Sequence, residues 1–317
     1  MNYIEPIISR KMTELNREYL ELYYSPEYQA VIKGTKIIRL ISEMQWEEVF
    51  HILKGCIIRK KLVNKSATAL LDKEKEPNQI ERSDCTWDIS RLPKVVVYTC
   101  IINEYDDLDE PYYINPNIDY VVFTDMEIRP DSVWKRNDIS KYEQLKGMTP
   151  TGKNRYIKLH PHEFFSNYDI SIYVDGTVLI MGDMMPIALN LGKKFFGVHK
   201  HVYRDCIYME AKGVLYSKRA DADAVKRQIK EYRRDGYPKH AGLYENTILV
   251  RQHNQTACVK LMKTWWDEYR KHPTRDQISL PYAMWRCQIE EKDIYILGNS
   301  IEKNYRFRRK CEHKCCK

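Results

Sequence analysis

Glycine and proline are scarce, 12 and 13 in 317 residues, which excludes a collagen-like or low-complexity chain. Long apolar runs are absent. None reaches the ~18 residues a membrane-crossing helix needs, and the cleanest are strand-length, such as Val95–Val97. The opening Met1-Asn2-Tyr3-Ile4-Glu5-Pro6 lacks a basic stretch followed by an apolar one, so no signal peptide is expected. Cysteine is present but unpaired in pattern. The nine are irregularly spaced, which excludes a disulfide scaffold and fits a reducing, cytoplasmic setting. Charge of one sign does not dominate either, with a net of +8.

That small excess is concentrated. Lys54–Lys65 holds five cations and no acid, and Ile301–Lys317 holds seven cations against two glutamates. The rest is close to neutral. A neutral body with two basic patches predicts docking on an anionic surface, such as the inner face of a membrane, through Lys54–Lys65 and Arg306–Lys317. The alternative is two solvated basic faces. Nucleic acid is not expected as a ligand, because tracking phosphates needs a broad basic face. Cys311, His313, Cys315 and Cys316 could bind zinc or accept a lipid, but no second ligand pair accompanies them, and a mobile tail is expected.

Three stretches are expected: a helical region and polar linker over 1–90, a catalytic domain over 91–300, and a basic tail over 301–317. Ile37, Leu40, Ile41 and Met44, then Val49, Phe50, Leu53 and Ile57, follow helical spacing, with Trp46 among them. Leu71–Ser90 is polar and reads as the linker. From Lys94 the pattern changes. Val95–Ile102, Ile118–Thr124 and Asp169–Val174 are strand-length apolar runs, and Thr149-Pro150 starts a helix that stops before Pro161. Strands over Phe195–His199 and Asn246–Arg251 follow, with helices over Asp221–Arg234, Gln255–His272 and Asp276–Glu290. Trp265, Trp266 and Tyr269 share helical spacing with Leu261 and Met262 and are expected in the core. The fold class is α/β: a Rossmann-like, mostly parallel mixed sheet flanked by helices.

In such sheets ligands bind beyond the carboxyl ends of the strands. Tyr98-Thr99, Thr124-Asp125 and Asp175-Gly176-Thr177 carry polar groups there. Asp175 is the sharpest candidate, since an apolar strand delivers it directly to a glycine. It could hold a divalent cation or a sugar hydroxyl; an Asp-Gly turn is the plain alternative. Lys153, Arg155 and Lys158 lie on a helix near its positive end, which a bound diphosphate would explain and a solvated face would also permit.

Ordered blocks carry a resemblance to a known family. Val95–Tyr105 with Pro111, then Asp119–Asp125, begin the series. Arg155–His162 with Tyr168–Thr177 is the most characteristic block. His199 with Arg204, Asp205, Cys206, Ile207, Tyr208 and Glu210 follows. Gly236–Glu245 with Arg251 and His253, and Arg275–Leu280, complete it. Over about Lys94–Arg286 the chain resembles a family of GT-A-like glycosyltransferases. Its bacterial members occur with capsule and lipopolysaccharide genes, and its plant members in the secretory pathway are linked to wall polysaccharide. The resemblance implies a nucleotide-sugar donor and a glycan or lipid-linked acceptor.

Glycosyl transfer needs a neutralised diphosphate, an oriented sugar and a base for the acceptor hydroxyl. The expected donor-binding set is Tyr98, Thr99, Asp125, Lys153, Arg155, Lys158, Asp175, Gly176 and Thr177, with Tyr98 and Thr99 against the nucleobase and ribose. Asp276 and Glu245 compete as the base. Thr274 with Gln277 equally fits a helix capping box, with Asp276 in the first turn. His199, Arg204, Asp205, His240 and Gln277 are expected around the acceptor; His199, His201, His240 and His253 fit structural roles as readily. Where the family's metal motif is Asp-x-Asp, the third position here is Thr177. A magnesium or manganese ion is expected on Asp175 with His199, or Asp183, completing its ligands. Two other functions fit the same residues: a metal-dependent hydrolase of a lipid or glycan, and a non-catalytic basic docking module.

Overall fold

The protein is described from a computed structural model, over residues 2–3, 5–23, 87–88 and 92–310. The helical pattern of 37–57, Trp46, the Lys54–Lys65 patch, most of the polar linker and the four tail metal or lipid candidates lie outside the described residues.

The centre is β3 (Val95–Ile101), buried along its whole length. Its β-branched run follows Pro93 and suits a strand covered on both faces. β4 (Ile118–Thr124) pairs with it in parallel, and the edge strand β5 (Lys135–Asp138) pairs with β4. Thr149 then caps α2 (Pro150–Leu159): its Oγ1 accepts the Gly152 N–H at 3.1 Å, and Pro150 occupies the first turn. Pro161 ends α2 at His160 and opens the single turn α3 (Pro161–Phe164).

β6 (Ile170–Val174) returns beside β3, again in parallel. Then come β7 (Val178–Ile180), α4 (Met185–Asn190), β8 (Phe196–Lys200), α5 (Ile207–Tyr216) and α6 (Ala222–Arg234). β9 (Tyr244–Arg251) inserts between β6 and β8 and is antiparallel to both. α7 (Thr256–Lys271), α8 (Asp276–Arg286) and β10 (Tyr295–Ile296) follow. The sheet is seven-stranded in the order β10-β8-β9-β6-β3-β4-β5, and β9 alone runs against the others. The mostly parallel mixed sheet expected from the sequence is the sheet observed.

One face packs Ile157, Leu159, Leu261, Trp265 and Leu280, so the tryptophan helix is core as expected. The other face packs Met185, Ile187, Ile301 and Phe307. A third cluster joins α5, α6 and α8 through Ile207, Val225, Tyr232, Ile278 and Tyr282.

The two chain ends meet on the second face. β11 (Phe307–Arg309) pairs antiparallel with β7, so residues 301–310 are not a free tail. α1 (Ile7–Tyr23) clasps β11: the Asn16 amide donates to the carbonyls of Tyr305 and Phe307, each at 2.8 Å. Arg306 forms a buried ion pair with Glu5 at 2.6 Å, and the Arg308 guanidinium lies 3.9 Å over the Tyr19 ring. Two arginines of the expected basic patch are thus spent inside the fold, while Arg309 stays exposed. Of the linker, Trp87–Asp88 forms β2, antiparallel to β1 (Asn2–Tyr3).

Candidate active site

The carboxyl ends of β3, β4 and β6 lie side by side. Asp175 leaves β6 with its N–H bound to the Thr247 carbonyl at 2.9 Å. Beside it lies a buried charge cluster. The Lys158 ammonium is 3.4 Å from Asp175 Oδ1 and 3.0 Å from Asp276 Oδ2. Arg155 Nε is 3.5 Å from the same Asp276 oxygen. Lys158 is 1% exposed and Asp276 3%, so both charges are held out of water. Burial alone would raise the Asp276 carboxyl. Arg155, Lys158 and Arg275 outweigh burial and hold it well below the usual carboxylate range. The Lys158 ammonium also sits 4.9 Å over the Tyr173 ring. Burial, reinforced by Asp175, pushes the Tyr173 phenol well above its ordinary value.

Lys158 is aimed from behind. The fully buried Arg251 donates to the Lys158 carbonyl at 2.6 Å and to the Tyr98 hydroxyl at 2.6 Å; Tyr98 in turn donates to that carbonyl at 3.0 Å. Asn154 donates to the Cys100 carbonyl at 2.8 Å and accepts from Arg155 at 2.7 Å, tying α2 to the end of β3.

Next to the cluster is a cleft of about 670 Å³, lined by Asn103, Glu104, Asp106, Asp125 and Arg129 among others. Asp125 accepts the Asn103 N–H at 3.0 Å. Asn103 and Glu104 both hold left-handed backbone, φ 55° and 53°, a strained pair of the kind that collects at ligand sites. Gly176 is needed here by its neighbour. A Cβ at that position would lie 3.1 Å from Asp106 Oδ2, so glycine leaves room for the Asp106 carboxylate against the residue that follows Asp175. Asp106 escaped the sequence reading as a site residue, although Tyr105-Asp106 stands inside the first resemblance block.

Several expectations are corrected. Tyr98 is fully buried and Thr99 is 3% exposed, so neither side chain faces a nucleobase. The strand runs on to Ile101, and Asn103-Glu104 form its true end. His199 does not join Asp175. It is fully buried, its Nε2 lies 3.0 Å from the Asn304 amide, its ring packs edge-on against Phe307, and burial pushes it down to about 3. Asp183 is also buried; it accepts from the Asn115 amide at 2.8 Å and the Met185 N–H at 2.9 Å. Thr274 does not cap α8. Its hydroxyl donates to Gln228 at 2.6 Å, and Arg275 holds the cap position. Among the described residues, one group has the spacing of metal ligands, Glu231 with Glu268 and His272. These join the ends of α6 and α7, where Lys271 and His272 already pair with Glu231.

The remaining candidates are dispersed. Glu245 is 4% exposed; its Oε2 accepts the Ile301 N–H at 2.9 Å, and burial pushes it up to about 7. Arg204 pairs with Glu210 at 2.5 Å. His240 pairs with Asp205 at 2.8 Å, and Asp205's carbonyl accepts the Gly242 N–H at 3.0 Å, which fastens two surface loops together. Gln277 reaches toward the Tyr244 carbonyl at 3.5 Å. Lys153 is part-exposed on α2.

An open α/β sheet with one reversed strand, a cleft at its carboxyl edge, and the buried Lys158 beside an Asp-Gly turn fit the class that the sequence resembles, the GT-A-like glycosyltransferases. The family model for the TOD1/MUCI70, glycosyltransferase-like domain matches residues 68–306, and the chain belongs to that family. No curated protein matches the chain. Among solved structures, the bifunctional glycosyltransferase WbbM is 13% identical with a TM-score of 0.40, over 65% of this chain and 39% of that one. The chain thus spans well under half of WbbM. The galactosyltransferase LgtC, solved with donor and acceptor sugar analogs, is 10% identical with a TM-score of 0.36, over 68% and 87%. The mannosyltransferase Ktr4p from S. cerevisiae in complex with GDP is 10% identical with a TM-score of 0.36, over 90% and 82%.

Proposed function

We propose that the protein moves a sugar from a nucleotide-sugar donor to a glycan or lipid-linked acceptor of a surface polysaccharide. The observation that carries this is the buried Lys158 with the half-buried Arg155, set against Asp175 and Asp276 at the carboxyl edge of the sheet. Lys158, held out of water, and the half-buried Arg155 are placed to stabilise the charge that develops on a leaving diphosphate. Asp276 is the counter-ion that fixes both before the donor arrives. Its depressed pKa makes it a poor proton acceptor, so it serves here as a positioning residue rather than the base.

The cleft beside Asn103, Glu104 and Asp125 suits the nucleoside, whose hydroxyls donate to carboxylates. Asp175 then faces the sugar or ribose. Asp106 and Asp175 offer the hard oxygen ligands a magnesium or manganese ion takes, and such an ion, when bound, adds positive charge against the diphosphate. Docking on an anionic membrane surface through Lys54–Lys65, with a cytoplasmic location, belongs to the same proposal. It is supported by that basic segment and by Cys100, Cys206, Cys258 and Cys287, all free thiols. No helix among the described residues is long and apolar enough to cross a membrane.

The test is a thermal-shift panel of nucleotides and nucleotide sugars, with and without manganese, on wild type and Asp175→Asn. A ligand at 100 times its Kd adds about 2.7 kcal/mol. The expected result is a raised Tm for one nucleotide family, smaller in the variant. No shift with any nucleotide would sink the proposal.

A further inference from the structure

Beside the donor cluster lies a second charged region that the donor does not need. Arg204 stands before α5 and turns its guanidinium onto that helix, where a Cβ at Gly213 would lie 3.1 Å from it. Arg219 follows α5, its N–H bound to the Val214 carbonyl at 3.2 Å. Arg275 caps α8, which packs on α5 through Ile278 and Tyr282. Arg309 ends β11 opposite Val178, and the next residue, Lys310, donates its N–H to the Thr177 carbonyl at 2.8 Å. Three arginines thus gather on α5 and α8, and a fourth, Arg309, borders the loop that follows Asp175.

The arginines bear on one another. Arg275, Arg204 and Arg309 all bear on Arg219, with Glu210 the leading carboxylate against them. Glu210 is already taken by Arg204 at 2.5 Å. Arg309 and Glu302 both bear on Glu245. Asp276 faces Arg275 too but is held by Lys158 and Arg155, and burial keeps Glu245 largely protonated below about 7. Two of the arginines carry an orphaned donor: the Nε of Arg204 and the Nε of Arg275 are buried without a hydrogen-bond partner. A buried N–H left unmade costs roughly 1–3 kcal/mol, which a bound oxyanion would recover. Guanidinium forks match carboxylate and phosphate oxygens in particular.

We infer that the acceptor is anionic, a glycan bearing carboxylate or phosphate groups, and that Arg204, Arg219, Arg275 and Arg309 receive its oxyanion. This rests on the glycosyltransferase reading and names the acceptor's chemical class. It also explains why Arg309 stays exposed while Arg306 and Arg308, on either side of Phe307, are spent on internal contacts.

The experiment titrates the full chain with four probes: a glucuronate oligosaccharide, glucose 6-phosphate, neutral maltotetraose, and the nucleotide found in the thermal-shift panel. Each is repeated on Arg219→Gln/Arg309→Gln, two substitutions at exposed positions. The acidic probes should bind at least about tenfold more tightly than maltotetraose and lose about tenfold in the double variant. The stronger acidic probe separates carboxylate from phosphate. Nucleotide affinity should stay within about twofold. Equal binding of acidic and neutral sugars overturns the inference. So does a double variant that keeps its acid affinity, or one that loses nucleotide affinity instead, since the arginines would then serve the donor. If no nucleotide binds wild type but the acids do, the glycosyltransferase reading falls and the anion site stands.

Discussion

Two buried carboxylates, Asp276 and Glu245, are driven in opposite directions by what faces them. Asp276 faces three cations and stays ionised; Glu245 has burial as its largest influence and is raised to about 7. Removing the Asp276 charge strands Lys158 and Arg155, so Asp276→Asn should cost roughly 3–5 kcal/mol in urea unfolding at neutral pH. Its folded pKa is depressed, so its contribution is present above the unfolded value of about 4 and is lost as pH falls below it. The gap between wild type and variant should therefore close in acid. Glu245 gives the reverse slope. Its folded form keeps a proton that the unfolded form loses between about 4.5 and 7. Wild type should lose roughly 3 kcal/mol across that range as pH rises, relative to Glu245→Gln. Unfolding curves at pH 5 and pH 7.5 on both proteins check this.

At the scale of elements, long patterned segments behave as their residues require. The start of α2 follows from Thr149-Pro150, and Thr149→Ala should cost about 1 kcal/mol in thermal unfolding. The Asp175 loop depends on a contact between elements instead. In Gly176→Ala the new methyl meets Asp106 Oδ2 and Ile101 Cγ1, each at 3.1 Å, and the Asp106 side chain must shift. A strain of about 1–3 kcal/mol should lower Tm by several degrees, and the displaced Asp106 should weaken manganese-dependent nucleotide binding roughly tenfold, read by titration. Short elements were not legible. β7 and β11 are three residues each and carry no period; they exist because each supplies the other's hydrogen bonds. The direction of β9 was also hidden, because a strand buried on both faces reads as the same apolar run whichever way it points.

For the whole molecule, the joining of the two chain ends matters most. The buried Glu5–Arg306 pair ties α1 to β11, and β11 braces β7 directly after the Asp175-Gly176-Thr177 turn. Glu5→Gln leaves Arg306 buried without its counter-charge. We expect about 3–5 kcal/mol of lost stability and earlier release of α1 in limited proteolysis, with the cores around Trp265 and Ile172 still protected from hydrogen exchange. Trypsin time courses on the two proteins would settle it.

By itself the sequence determined the α/β class and its main strands, and it singled out Arg155, Lys158 and Asp175, which the fold joins in one charge cluster with Asp276. These follow from local rules: β-branched runs, a proline-started helix, and polar residues where an apolar strand ends. Only the tertiary structure decided the rest. It turned Tyr98 into the core and made Asp276 a counter-ion. It kept His199 from Asp175, brought Asp106 against Gly176, and gathered four arginines from four segments. Such partnerships join residues far apart in the chain, and no local period records which distant charge a side chain will meet.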